Sequence, residues 1–140
     1  MNLEVYLTFN GECEDAFNFY QKIFNAETLL VTRYEEMHDL YVPKEWKKKI
    51  VHAVMTLRNG IQIMGSDTMY DKPVSYGENM TIALTFVNRE DEIRVFNALS
   101  DDNRNIMPLH EASWDSLFGM VTDKYGIRWM LNCFNNSAGK

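Results

Sequence analysis

Hydrophobic and polar residues alternate along several short stretches of this chain, and elsewhere apolar residues recur every three or four positions. Alternation predicts strands, because successive strand side chains point to opposite faces, whereas the longer spacing predicts amphipathic helices. We predict helices over about residues 11–24 and 89–100. The predicted strands cover residues 3–9, 28–34, 50–57, 61–65, 80–87, 105–110, 117–122 and 127–133. The element order is therefore strand, helix, strand, strand, strand, and this order occurs twice.

Both predicted helices have recognisable beginnings. Asn10-Gly11 breaks the first strand, and acidic residues follow in the first helical turn, where the helix dipole favours negative charge. Asn88 is expected to cap the second helix. The apolar faces are predicted to comprise Ala16, Phe19, Tyr20 and Ile23 in the first helix and Ile93, Phe96 and Leu99 in the second. The polar residues 35–49 predict an excursion with a short helix.

The residues themselves support an internal repeat. The stretch 7–9, Leu-Thr-Phe, recurs at 84–86 with an offset of 77. Residues 60–64, Gly-Ile-Gln-Ile-Met, match residues 126–130, Gly-Ile-Arg-Trp-Met, with an offset of 66. Because these matches coincide with the repeated element order, duplication explains them better than chance. We predict one domain, 1–140, with module one at about 1–67, a linker at about 68–79 and module two at about 80–134.

Composition and charge restrict the class of protein. Hydrophobic residues make up 46% and charged residues 24%, the balance of a globular chain. The net charge of −6 argues against nucleic acid as a partner, because phosphates require a basic face. No apolar run approaches the roughly 20 residues of a membrane span, so we expect no membrane. With two cysteines and no visible signal peptide, the expected location is cytoplasmic.

Five segments, in this order and spacing, resemble PhnB-like proteins of the vicinal-oxygen-chelate (glyoxalase/bleomycin-resistance/dioxygenase) superfamily. They are residues 6–11, 16–20, 52–55, 63–67 and 118–129. The resemblance implies an α+β fold in which two βαβββ modules form a curled mixed β-sheet around a cleft, and it implies a homodimer. Such proteins are often labelled 3-demethylubiquinone-9 3-methyltransferases. That label fits poorly, because methyl-donor sites usually follow a glycine-rich strand-to-helix turn, and the turn at residues 10–12 has one glycine.

The resemblance also locates the metal positions of the superfamily, one on the first and one on the last strand of each module. They fall at Val5, Met64, Ile82 and Met130. Aliphatic side chains donate nothing to a metal, and a thioether is a poor ligand for a divalent ion in an oxygen and imidazole site. We therefore expect neither a metal nor another cofactor.

If the superfamily geometry holds, alternate residues of the same strands line the cleft. The predicted cleft residues are Val5, Leu7, Phe9, Gln62 and Met64 in module one and Ile82, Leu84, Arg128 and Met130 in module two. Such a cleft is apolar and rich in methionine, as small-molecule pockets often are. The alternative is that these residues pack the core between helix and sheet, with the faces inverted. Trp129 is expected to point to the opposite side from Met130, against the helix.

Few residues are candidates for catalysis. His52 is either a hydrogen-bonded sheet histidine or a general base, and Asp67 either a turn residue or a catalytic acid. Asp123 is expected in turn chemistry, and His110 at the surface. The favoured hypothesis is a dimeric, metal-free cleft that binds a small organic molecule. The alternatives are an enzyme of the lyase, isomerase or dioxygenase type using His52, Asp67 or Arg128 at an unconventional site, or an interaction or structural role with an empty core.

Overall fold

The computed structural model describes residues 1–100 and 105–135. Contacts divide the chain into two compact units, Met1–Ser75 and Tyr76–Lys140. Each unit contains four strands and one α-helix in the order β, α, β, β, β. The elements are β1 (Val5–Phe9), α1 (Cys13–Phe24), β2 (Thr28–Arg33), β3 (Ile50–Thr56), β4 (Gln62–Asp67), β5 (Ile82–Thr85), α2 (Arg89–Leu99), β6 (Asn105–Ala112), β7 (Ser116–Thr122) and β8 (Arg128–Phe134). The predicted α+β fold of two βαβββ modules is confirmed.

The sheet of the first module has the strand order β1-β4-β3-β2. The first and last strands of the module, β1 and β4, pair in parallel, and the other pairs are antiparallel. Helix α1 covers one face of this sheet. Its Phe17 ring packs edge-on against Phe9, with 6.3 Å between the centroids. Phe17 can approach the sheet closely because Gly65 lies beneath it; a Cβ there would be 2.9 Å from the Phe17 ring.

The buried face of α1 differs in part from the predicted one. Cys13, Ala16, Phe17, Tyr20 and Ile23 are buried, whereas the predicted Phe19 is only half-buried. The buried positions keep helical spacing, and Phe17 takes the central place because it faces Gly65. Asn25 ends the helix in the left-handed conformation, at φ 52°, which asparagine tolerates better than most residues.

The second module repeats the arrangement, with strand order β5-β8-β7-β6 and α2 on one face. The Asn88 side chain accepts a hydrogen bond from the Asp91 backbone N–H at 2.9 Å, which confirms the predicted cap. Val95, Phe96 and Leu99 are buried together with Glu92, whereas the predicted Ile93 is 42% exposed. The buried stripe is thus displaced by one residue at the start of the helix, and this displacement brings a carboxylate into the core.

The strands and the excursion follow the predictions with shifted ends. β4 continues two residues past its predicted end, to Asp67, which pairs with Phe9 of β1. β5 is shorter than predicted and β6 is longer. The excursion carries two short 3-10 helices, Tyr34–Glu36 and Lys44–Trp46. None of the helices in the described residues is both long and apolar enough to span a bilayer.

Candidate functional site

Each sheet has one face that packs against its helix and one face that carries no helix, called here the helix-free face. In module one, Leu7 pairs with Gly65 and Tyr6 pairs with Met64, and residues paired in this way point to the same side. Leu7 therefore lies on the helix side, as do its alternate neighbours Val5 and Phe9. Met64 lies on the helix-free face, together with Gln62. The register thus corrects the prediction that both strands present these residues to one cleft.

The same correction applies to module two. Ile82 pairs with Trp129, and Ala83 pairs with Met130. Ile82 and Leu84 consequently lie on the helix side, together with buried Trp129. Of these three residues, only Trp129 was expected there. Met130 and Arg128 lie on the helix-free face. Strand alternation fixes which residues of one strand share a face, but only the pairing between strands fixes which face that is.

The resemblance assigned the metal positions to Val5, Met64, Ile82 and Met130, and the register shows that these four do not share a face. Met64 and Met130 lie on the helix-free faces, where their partners are Tyr6 and Ala83. Tyr6 and Ala83 keep the repeat offset of 77. Neither a carboxylate nor an imidazole stands at any of them. Within residues 1–100 and 105–135, no three or more His, Cys, Asp or Glu side chains are grouped so as to hold a metal ion. The absence of a metal stays a prediction.

A tyrosine–histidine pair lies on the helix-free face of module one. The Tyr6 hydroxyl and His52 Nδ1 are 3.1 Å apart, a hydrogen bond, and the two rings stack with centroids 5.8 Å apart. Both residues are exposed. His52 is therefore a sheet histidine with a hydrogen-bond partner, but it faces solvent rather than the core. Its participation in catalysis stays a prediction.

Asp67 ties three backbone segments together. Its Oδ1 accepts hydrogen bonds from the Gly11 and Cys13 N–H groups, and its Oδ2 accepts one from the Ile50 N–H, each at 2.9 Å. Burial raises the pKa of this carboxyl, while the three backbone donors oppose that rise. Because both oxygens are occupied inside the fold, the contacts of Asp67 match the structural interpretation rather than the catalytic one.

Asp123 has the corresponding role in module two. Its Oδ1 accepts from the backbone N–H groups of Tyr125 and Ile127 at 2.8 and 3.1 Å, and its Oδ2 accepts from Trp129 Nε1 at 2.8 Å. The carboxylate closes the turn before β8 and fixes Trp129 against the helix side. These contacts agree with the expected turn chemistry.

The helix-free face of module two combines thioether, aromatic and polar side chains. Met120 of β7 pairs with Met130 of β8, and Phe118 pairs with Asn132. Asn132 Oδ1 accepts hydrogen bonds from Ser116 Oγ at 2.6 Å and from Trp114 Nε1 at 3.2 Å. Sequence reasoning selected Met130 of this group as a cleft residue but missed the residues of β7. The alternation of residues 116, 118 and 120 could have indicated it once their strand was placed beside β8.

Two aromatic contacts border this face. The Trp114 ring meets Phe118 edge-on with 5.1 Å between centroids, and the His110 ring does so at 6.1 Å. His110 is exposed, as expected, and its Nδ1 lies 2.9 Å from the Pro108 carbonyl oxygen. At the other end of the face, Arg128 Nε is buried and has no hydrogen-bond partner in the part of the chain that the structure describes.

Two cavities of module one lie elsewhere. One, of about 90 Å³, lies between α1 and the sheet beside Cys13, Phe17 and Ile50. Ligand pockets are usually about 300–1,000 Å³, so this cavity is too small for an organic ligand. The other, of about 230 Å³, is a polar groove bordered by Gly11 and Lys49, where Lys49 Nζ donates to the Gly11 carbonyl oxygen at 2.8 Å. Neither cavity includes a predicted cleft residue.

Comparison with known proteins places the chain among relatives of similar length. Protein YjdN of Escherichia coli (strain K12) is 33% identical over 94% of this chain and 95% of its own length. The crystal structure of protein PA1353 from Pseudomonas aeruginosa is 32% identical, with a TM-score of 0.83 over 96% of this chain and 98% of that one. The PhnB protein from Bacillus cereus is 28% identical, with a TM-score of 0.77 over 95% of this chain and 99% of that one.

More distant structures share the fold alone. A glyoxylase/bleomycin resistance protein/dioxygenase domain from Frankia sp. EAN1pec has a TM-score of 0.65 at 12% identity, covering 98% of this chain and 93% of that one. The family model described as 3-demethylubiquinone-9 3-methyltransferase matches residues 2–132. The chain therefore belongs to this PhnB-type family and has the glyoxalase/bleomycin-resistance fold.

Proposed function

We propose that this protein binds a small organic molecule on the helix-free faces of its sheets, without a metal ion. One observation carries the proposal. Tyr6, Met64, Ala83 and Met130 are paired on the helix-free faces of the first and last strands of each module, the strands from which the resemblance implies that metal-dependent superfamily members take their ligands. None of them is a good ligand for zinc, nickel, manganese or iron(II) in an oxygen and imidazole site.

The side chains on these faces support a binding role. Met64, Met120 and Met130 present flexible, polarisable thioethers, which adapt to ligands of irregular shape. A few polar groups interrupt them, chiefly Gln62 and Arg128. Small-molecule sites commonly combine a mostly apolar surface with a few polar groups that orient the ligand.

The fold of this chain does not favour methyl transfer, the activity in the family description. Helix α1 follows β1, as the phosphate-binding helix follows its strand in dinucleotide folds, where free N–H groups at the helix N-terminus hold the ligand. Here the Gly11 and Cys13 N–H groups at that position donate to Asp67. The sheet is mixed and four-stranded rather than parallel and doubly wound.

Metal analysis and thermal melting test the proposal. The purified protein should carry less than stoichiometric zinc, nickel, manganese and iron, and a chelator should leave its melting temperature unchanged. An ion bound only to the native state would add stability by mass action, so its removal would lower that temperature. A stoichiometric divalent ion whose loss lowers the melting temperature would contradict the proposal. Native mass spectrometry of the untreated protein should reveal any co-purified organic molecule.

The Tyr6–His52 pair favours an enzyme as the second candidate. A histidine within 3.1 Å of a phenol can accept or relay a proton, as a general base must. If a substrate is found, His52→Gln should abolish turnover while leaving its binding intact, with exposed His38→Gln as the matched control. Equal turnover by the His52 variant and the control would exclude this role.

The homodimer and the cytoplasmic location are further parts of the proposal. The resemblance to PhnB-like proteins supports the dimer, and sedimentation at roughly tens of micromolar should give twice the mass of one chain. Cys13 and Cys133 are both buried, and the structure shows no disulfide between them, which agrees with a reducing compartment. A monomer in sedimentation would exclude the dimer.

A further inference from the structure

We propose that the helix-free face of module two binds an organic carboxylate, with Arg128 holding the carboxylate group. This face is called here the Arg128 face and consists of Arg128, Met130, Asn132, Phe118, Met120 and His110. The inference rests on the proposed binding function and specifies the chemistry of its ligand.

Arg128 supplies an unused donor. Its Nε atom is buried, and no acceptor among the described residues meets it. A guanidinium keeps its charge and its five N–H donors under all ordinary conditions. A buried donor without an acceptor is unfavourable, and burial of charged donors is more unfavourable still. Nε itself is closed to solvent, but the Arg128 side chain as a whole is only half-buried, so an external carboxylate would meet the accessible part of the guanidinium, whose fork its two oxygens match.

Among the residues that the structure describes, none on the Arg128 face is acidic and able to neutralise this charge. Strand alternation places His110 on the helix-free face and its neighbour Glu111 on the other side, where Glu111 forms an ion pair with Arg89 of α2. Asp123, close in sequence, uses both carboxylate oxygens for the turn and for Trp129. A positive site therefore lies on a chain whose net charge is −6. Charge complementarity favours an anion over a neutral or cationic molecule at this site.

The rest of the face specifies the body of the ligand. Same-face neighbours along a strand are about 7 Å apart, so Met130 lies about 7 Å from Arg128 and Asn132 about 13 Å from it. Met130 and its partner Met120 form an apolar middle, and Phe118 adds an aromatic wall. Asn132 Oδ1 already accepts two hydrogen bonds. The chemistry thus points to a carboxylate on an apolar or aromatic body a few carbon atoms long.

Binding of a charged probe and its neutral analogue tests the inference. We would titrate the full chain, labelled at its methionine methyl groups, with 4-phenylbutyrate and with 4-phenylbutanamide. The carboxylate should bind about tenfold or more tightly than the amide, because charge-assisted hydrogen bonds are roughly twice as strong as neutral ones. The methyl resonances of Met120 and Met130 should move during the titration.

Variants assign the effect to Arg128. Arg128→Met should weaken carboxylate binding about tenfold or more and leave amide binding unchanged. Arg58→Met removes the same charge from an exposed turn of module one and should change neither. Arg128→Lys keeps the charge but loses the planar fork, and it should bind the carboxylate less tightly than wild type. Should Arg128→Met fail to fold, the lysine variant and the comparison of the two probes on wild type still decide the matter.

Two results would overturn the inference, and they differ in meaning. If acid and amide bind equally and Arg128→Met changes neither, the carboxylate inference fails while small-molecule binding stands. If no probe and no co-purified molecule binds the wild-type protein, the proposed function fails together with it.

Discussion

Glu92 should make the stability of this protein depend on pH. Its side chain lies on the buried face of α2 and is completely buried, and neither carboxylate oxygen has a hydrogen-bond partner within the described residues. Burial raises the pKa of this carboxyl from 4.5 to about 7; the nearby Arg89 opposes the rise, and Glu111 adds to it. In the unfolded chain the same carboxyl ionises near its ordinary value.

The direction in which stability changes with pH follows from the number of protons that each state binds. Between pH 4.5 and about 7 the folded state holds the proton of Glu92 and the unfolded state has released it, so stability falls as pH rises through this range. Above about pH 7 both states are ionised and the loss is complete. At 1.36 kcal/mol per pKa unit, the rise corresponds to about 3 kcal/mol of the free energy of unfolding. Glu92→Gln removes the ionisation and keeps the shape, so it should abolish this loss.

Urea unfolding followed by circular dichroism at several values between about pH 5 and pH 8 measures the effect. The free energy of unfolding of Glu92→Gln, relative to wild type, should increase by about 2–3 kcal/mol from the acidic to the alkaline end. Any constant cost of the buried amide cancels in this comparison. Glu90→Gln, an exposed change in the same helical turn, is the matched control for the loss of one carboxylate from this helix. A constant difference for Glu92→Gln would refute the assignment.

Two further substitutions and one chemical modification test the packing and burial of particular residues. Gly65→Ala should destabilise the protein by about 2 kcal/mol or more in urea unfolding, because its Cβ would lie 2.6 Å from the Leu7 carbonyl oxygen. Gly77→Ala is the control, since its nearest contact would be at 3.5 Å, and it should have little effect; equal effects of the two changes would contradict the close packing at Gly65. Asp67→Ala leaves three backbone N–H groups without an acceptor and should lower the free energy of unfolding by more than about 3 kcal/mol, so a smaller loss would show that water replaces the carboxylate. Burial, together with the charges of Asp67 and Glu14, raises the pKa of the Cys13 thiol, so iodoacetamide at about pH 8 should alkylate Cys13 only after the protein unfolds. Rapid modification of Cys13 in the native protein, detected by mass spectrometry, would contradict this expectation.

Local features were predictable because local chemistry produces them. The Asn88 cap depends on its own helix, since its side chain accepts from the Asp91 N–H three residues on. The turn role of Asp123 likewise depends on neighbours within six residues. Asp67 lies at the other extreme, because its partners Gly11 and Cys13 are more than fifty residues away in sequence. Its bonding to distant backbone N–H groups could not be predicted from the sequence, since a carboxylate at a strand end resembles any turn residue.

The sequence by itself determined the elements, their order and the duplication, because helix and strand periods and repeated segments are written along the chain. It also determined the two alternating sets of residues within each strand. Only the tertiary structure decided which set carries the helix. That choice depends on the pairing of Tyr6 with Met64 and of Ala83 with Met130, across 58 and 47 residues, where a shift of one position exchanges the faces. The unpartnered Nε of Arg128 was likewise decided there, since burial of an atom depends on what the whole fold packs around it.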